Sequence, residues 1–143
     1  MPHPTDKMKL LIERNSAEAA RLHGRIHETF AKRDVSPEKR EEWKQACEVF
    51  HRQYDELAFP GGYDAALDRL AAGDEETMEA TICFLEMRPY FFRSGYMFDA
   101  LLRRSKHAPL SPDQSARLQV VVVEVQEWKA SKRKKRKPNE ASV

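Results

Sequence analysis

A chain of 143 residues is enough for one domain that buries roughly two-thirds of the surface its unfolded form exposes, and its scarce glycine and abundant Glu, Arg, Lys, Ala and Leu favour helix over sheet. The net charge of +2 hides an uneven distribution: residues 129–143 hold seven bases and one acid, +6, leaving −4 on residues 1–128, the wrong sign for a body that binds nucleic acid through a basic face. Two cysteines, Cys47 and Cys83, make no disulfide framework, the start is not leader-like, and the longest aliphatic run (120–123) is far below the ~20 residues of a membrane span, so a cytoplasmic protein without a membrane partner is expected, nuclear if the source is eukaryotic.

The first helix is expected over 6–33, with Met8, Leu11, Ile12, Ala19, Leu22, Ile26 and Phe30 spaced by threes and fours. Ser36-Pro37-Glu38 then reads as an N-cap, a proline in the first helical position and an acid in the first turn. The second helix carries Trp43, Ala46, Cys47, Phe50, Tyr54 and Leu57 as its stripe, and the short connection makes the two helices antiparallel neighbours. Phe59-Pro60-Gly61-Gly62 ends it. A short third helix is expected over 64–72, stopping at Gly73, and a fourth over 75–87, capped by Asp74. Pro89 is expected to open an aromatic-rich fifth helix to about residue 106, with Gly95 as a point where it kinks or divides. Ser111-Pro112-Asp113-Gln114 has the form of a capping box and starts a last helix to about residue 130. Within it, four consecutive valines have high β propensity, yet Leu118, Val121, Val122, Val125 and Trp128 follow a 3–4 spacing and no second strand offers a partner.

The expected fold is therefore all-α: residues 1–130 form a single helical domain, a long antiparallel hairpin (1–58) packed with three or four shorter helices (63–130). Residues 131–143 are a disordered basic tail. From residue 63 to 128 the elements look like two successive hairpins, an architecture that resembles the helical pairs of HEAT-type solenoids without matching their repeat motif; the resemblance implies a protein-binding surface.

Three constellations carry chemistry. His23 and His27 are four apart on the first helix, and Cys47 and His51 are four apart on the second. If the hairpin turns near Val35, His23 lies opposite Cys47, and three imidazoles and a thiolate make a ligand set that zinc accepts. Cys47, His51 and Asp55 also form an i, i+4, i+8 row, but mid-helix amides are committed to the helix ladder and supply no oxyanion hole, so no catalytic residue is assigned.

The stretch 88–98 holds five aromatics, and Arg88, Arg93, Arg103, Arg104 and Lys106 interleave with or follow them. Phe91, Phe98, Leu101 and Leu102 are expected in the core, with Arg88, Arg93 and Tyr96 exposed for a partner. Residues 64–86 carry seven acids and one base, so the body is acidic before Met87 and basic after it, which favours a protein partner or self-association. The run Lys132, Arg133, Lys134, Lys135, Arg136 and Lys137 offers a nucleic-acid contact whose affinity falls steeply with salt. The chain thus reads first as a non-enzymatic helical protein-interaction module: an adaptor, inhibitor or immunity-like partner. It reads second as an accessory nucleic-acid-binding protein that uses the basic C-terminal tail and the Arg-rich aromatic helix, and third as a metal-binding hairpin.

Overall fold

Capping chemistry places the helix starts. In the computed structural model, which describes the backbone of residues 3–141 and the side chains of residues 3–135, there are six helices and, among the described residues, no strand. Helix α1 spans Pro4–Ala31, entered through a proline behind His3, whose ring nitrogen accepts the Thr5 N–H at 3.1 Å. Helix α2 spans Pro37–Ala58, and the Ser36 hydroxyl oxygen accepts the Lys39 N–H at 3.1 Å, as the sequence expects. Helix α3 is shorter than expected, Ala66–Ala71. Helix α4 spans Glu75–Met87, and the Asp74 carboxylate accepts both the N–H and the hydroxyl of Thr77, at 3.0 and 2.6 Å. Helix α5 spans Ser94–Ser105, and α6 runs over Pro112–Ala141 behind a reciprocal capping box between Ser111 and Gln114, with bonds of 3.1 and 3.0 Å. The valine run lies inside α6 as helix, since its aliphatic stripe has a helical face to bury and no strand to pair with.

Between α2 and α3 the chain turns through Gly61 and Gly62, at φ 81° and 90°. Only glycine suits Gly62, because a Cβ there would stand 2.7 Å from the Asp55 carboxylate. That carboxylate accepts the N–H groups of Tyr63 and Asp64 at 3.0 and 2.7 Å, fastening the turn to the end of α2. Arg69 of α3 closes the loop from the other side, donating to the Gly62 carbonyl at 2.8 Å and to the Thr77 hydroxyl at 3.0 Å.

The hub of the fold is α4. Thr77, Met78 and the continuous run from Ala80 to Leu85 are buried, so this helix is apolar nearly all round, and it packs against α1, α3, α5 and α6. Helices α5 and α6 both pack on α4 and are not substantial neighbours of each other, so the second of the two expected hairpins does not form. A central helix that is apolar nearly all round recruits its neighbours individually, which a stack of successive pairs does not allow. The main core joins Ile12, Ala19, Phe59, Leu70, Ile82, Phe84, Leu101 and Val121, whereas Leu22, Ala46 and Phe50 are buried outside it, in the α1–α2 hairpin.

Two helix limits differ most from the sequence expectation. The fifth helix starts at Ser94 rather than Pro89, because Arg88 takes a left-handed conformation (φ 51°) that closes α4, and Arg93 takes another (φ 67°) before α5 begins. Gly95 accordingly lies in the first turn of α5 and divides nothing. The expected basic tail is the far end of α6: the backbone stays helical to Ala141, while every described side chain from Gln126 to Lys135 is exposed. A like-charged helical stretch without packing has no tertiary contact to hold it and frays readily in solution.

Candidate interaction surface

The link between α4 and α5 is a six-residue turn, Arg88-Pro89-Tyr90-Phe91-Phe92-Arg93. Its middle is anchored inward. Phe91 is buried, with its ring edge-on to Phe84 at 6.3 Å; its N–H donates to the Ser94 hydroxyl at 3.1 Å, and its carbonyl accepts the Ser94 N–H at 2.9 Å. Burying such a ring contributes about 2–3 kcal/mol, enough to fix the turn. The Tyr54 hydroxyl of α2 adds a second anchor, donating to the Phe92 carbonyl at 2.5 Å. Burial pushes the Tyr54 phenol above its ordinary range, against the opposing pull of the Arg93 charge, so it stays a donor.

What remains of the turn faces outward. Tyr90 is 94% exposed, Tyr96 79% and Phe92 41%, and the Arg88 and Arg93 side chains are exposed beside them. The Arg93 guanidinium sits 5.3 Å from the Phe92 ring centre, and Arg88 lies 5.6 Å from the Phe98 ring while reaching Glu124 of α6 at 3.3 Å. Both arginines occupy left-handed backbone, where a non-glycine residue costs on the order of 1 kcal/mol.

One histidine of the hairpin, His23, meets this same turn. His23 stacks on Phe92 (ring centres 4.7 Å apart, planes at 22°), stands edge-on to His27 at 4.7 Å, and touches Phe50 at 5.3 Å. Burial lowers the His23 pKa and the neighbouring His27 lowers it further, so the ring is held neutral. The expected opposition of His23 and Cys47 does not occur. Rings pair Phe30 with Trp43 and His23 with Phe50, so the residue facing His23 lies three positions beyond Cys47. Side-chain interdigitation sets the register of the hairpin, and simple counting back from Val35 misses it. Among the described residues no three His, Cys, Asp or Glu side chains stand grouped as metal ligands, those of His23, His27, Cys47 and His51 included. Asp55, the end of the Cys47–His51–Asp55 row, is committed to the amides of the 62–64 turn.

Of the residues expected in the core, Phe91 and Leu101 are buried, and Phe98 and Leu102 pack against it. Arg103 and Arg104 are exposed in the last turn of α5, about 15 Å along the helix from Arg93, and belong to its far end. Lys132, Arg133, Lys134 and Lys135 are exposed on the extension of α6; the side chains of Arg136 and Lys137 lie outside the described residues. Sequence reasoning did not single out Tyr90 and Phe92 as exposed rings, although the proline between Arg88 and Tyr90 is a signal for a turn instead of a helix.

It also missed a polar cluster between α4 and α6. Arg117 of α6 donates to Glu79 at 3.0 Å and to Glu86 at 2.6 Å; Thr5, Gln114 and the Cys83 thiol also donate to Glu79, and Lys9 pairs with Glu86 at 3.3 Å. Burial raises the Glu79 carboxyl, but the bonds from Gln114, Thr5, Cys83 and Arg117 together hold it below the ordinary range, and Arg117 and Lys9 do the same for Glu86 against its burial. Arg117 is itself held more firmly protonated, first by Glu86. Burial, then Glu79, pushes the Cys83 thiol up to about 12, so it is a weak donor and no nucleophile. This cluster ties α1, α4 and α6 together. The visible signal is Glu79, Cys83 and Glu86 at spacings of four and three on one face of an otherwise apolar helix.

Two open depressions, of about 330 and 200 Å³, lie between α1 and α2; the first is lined largely by Arg25, Glu28, Lys32, Lys39 and Glu42, and the second joins Arg21, Arg25 and Glu42 to Leu22, Gln45, Ala46 and Val49. Neither involves the turn. No helix among the described residues is long and apolar enough to cross a membrane. In comparisons with known proteins, no family model matches the chain, and no curated protein or solved structure is significantly similar to it.

Proposed function

We propose that the protein is a non-enzymatic interaction module that binds an acidic segment of another protein on the α4–α5 turn. The observation that carries this reading is the outward set of Arg88, Tyr90, Phe92 and Arg93 on a turn held from beneath by Phe91 and Tyr54, with Tyr96 exposed beside them in the first turn of α5. Tyrosine and arginine dominate the binding energy of protein interfaces, and a rigid turn presents them with little ordering cost on association. Left-handed positions are most cheaply filled by glycine or asparagine, so arginine at both ends of the turn is a choice for the side chain. Positive charge on the turn selects an acidic complement. The chemistry elsewhere favours binding over catalysis, with a protonated thiol at Cys83 and an Asp55 carboxylate that accepts two backbone amides on one oxygen.

The test compares the full chain with a Tyr90→Ser/Arg93→Ser/Tyr96→Ser variant, each isolated by affinity from cells that express the gene. A stoichiometric protein is expected with the first and absent with the second. The recovered protein, once purified, is expected to bind the variant at least 30-fold more weakly in calorimetric titration. Equal recovery, or equal affinity of the purified partner for both forms, overturns the proposal.

A further inference from the structure

The body-facing stripe of α6 changes chemistry part-way along the helix. Through residue 125 it is aliphatic: Leu118 and Val121 are buried, and Val122 and Val125 pack against the core. At the positions that continue the stripe, Lys129 and Lys132 follow. From Gln126 onward the described side chains are all exposed, and the backbone carries about 24 Å of helix beyond its last packed turn. Five cations, Lys129, Lys132, Arg133, Lys134 and Lys135, fall within seven residues, and at 100° per residue they point to every side of the helix. Trp128, 53% exposed, stands at the root of the stretch with the Lys132 ammonium 4.1 Å from its ring centre.

We infer that this projecting half of α6 is an arm that binds the phosphodiester backbone of a nucleic-acid duplex, independently of the α4–α5 turn. A membrane-surface helix needs an apolar face, and here the apolar stripe is the one that turns cationic. A seam with a second copy of the arm sets like charge against like. Single strands are held on aromatic platforms, and the arm offers one ring, already faced by Lys132. A helix with its side chains is about 10–12 Å across and fits a major groove about 12 Å wide, where cations on opposite sides reach phosphates of both strands at once. The net −4 on residues 1–128 keeps the body from spreading along the duplex, so the contact is confined to the arm.

The experiment titrates the full chain against a 20-base-pair DNA duplex, the matching RNA duplex, a single strand of the same length, and vesicles of phosphatidylcholine with phosphatidylserine, across 50–200 mM salt. Duplex binding is expected to weaken about 10³-fold over that range, with a log–log slope of about −4 to −6. The Lys132→Gln/Arg133→Gln/Lys134→Gln/Lys135→Gln variant is expected to lose at least 30-fold in affinity at 100 mM salt and to show a slope shallower than about −2, with unchanged thermal unfolding. The Tyr90→Ser/Arg93→Ser/Tyr96→Ser variant is expected to bind duplex as the parent does, which separates this site from the turn. The DNA duplex is expected to bind more tightly than the RNA duplex, because a helix fits the wide B-form major groove and not the narrow A-form one, and tighter binding to RNA contradicts the groove contact. Binding unaffected by the four substitutions, tighter binding to the single strand, or tighter binding to vesicles overturns the inference.

Discussion

Removing Arg117 leaves Glu79 and Glu86 with their burial and without their counter-charge. The two carboxylates are only 21% and 25% exposed in their side chains, and Arg117 17%, so solvent cannot take over the missing bonds fully. Arg117→Ala is expected to cost about 2–3 kcal/mol, read from the urea midpoint. Arg117→Lys is expected to recover less than half of that, because one ammonium cannot fork between two carboxylates as the guanidinium does. The same cluster sets an acid limit. Both carboxyls are held below their ordinary value of about 4.5, so their contribution is complete above that pH and is lost as pH falls through the lowered folded values. His23 adds an earlier step: its folded pKa lies below the ordinary 6.5, so the unfolded chain takes up that proton first and stability declines as pH drops below about 6.5. Urea unfolding at pH 7.5, 5.5 and 4 is expected to show both declines. His23→Phe removes the upper step and Arg117→Ala shrinks the lower; a pH profile identical in all three proteins contradicts these assignments.

At the scale of elements, the readable signals were local and short-range. Ser36, Asp74 and the Ser111–Gln114 pair act as caps because the donor and acceptor lie within three residues of each other, so the sequence alone carries the geometry. The hairpin register and the Arg117 cluster were not readable, since Phe50 against His23 and Arg117 against Glu79 depend on how helices lie over one another across 27 and 38 residues. The α4–α5 turn falls between these cases. Its proline was visible, but the left-handed Arg88 and Arg93 follow from the pull of Phe91 and Tyr54 on the chain, which is tertiary. That origin has a consequence for Arg93→Gly. Glycine relieves the left-handed strain and deletes the guanidinium over Phe92, so stability is expected to stay level or rise by up to about 1 kcal/mol while affinity for the acidic partner falls. Thermal unfolding and titration on the same samples check it. A variant that loses stability and binding together argues that Arg93 is structural instead.

On the scale of the whole molecule, stability and the basic arm are separable because they use different parts of one helix. The aliphatic stripe of α6 packs on the core through Val125, and no described side chain from Gln126 to Lys135 is removed from solvent. Global unfolding exposes buried apolar surface, and the arm contributes almost none to that change. A chain ending at Trp128 is therefore expected to keep its unfolding temperature within about 2 °C and its urea dependence unchanged, whereas one ending at Arg117, which lacks Leu118, Val121, Val122 and Val125, is expected to lose cooperative unfolding. Hydrogen exchange gives the same division residue by residue. Amides of α4, enclosed by four other helices, are expected to exchange only through global unfolding, whereas amides beyond Gln126 exchange through local fraying in seconds or less. Duplex added to the full chain is then expected to slow the arm amides selectively, because a helix with no partner in the protein gains one in the groove. If duplex instead slows the α4 amides and leaves the arm fast, the arm is not where the nucleic acid sits.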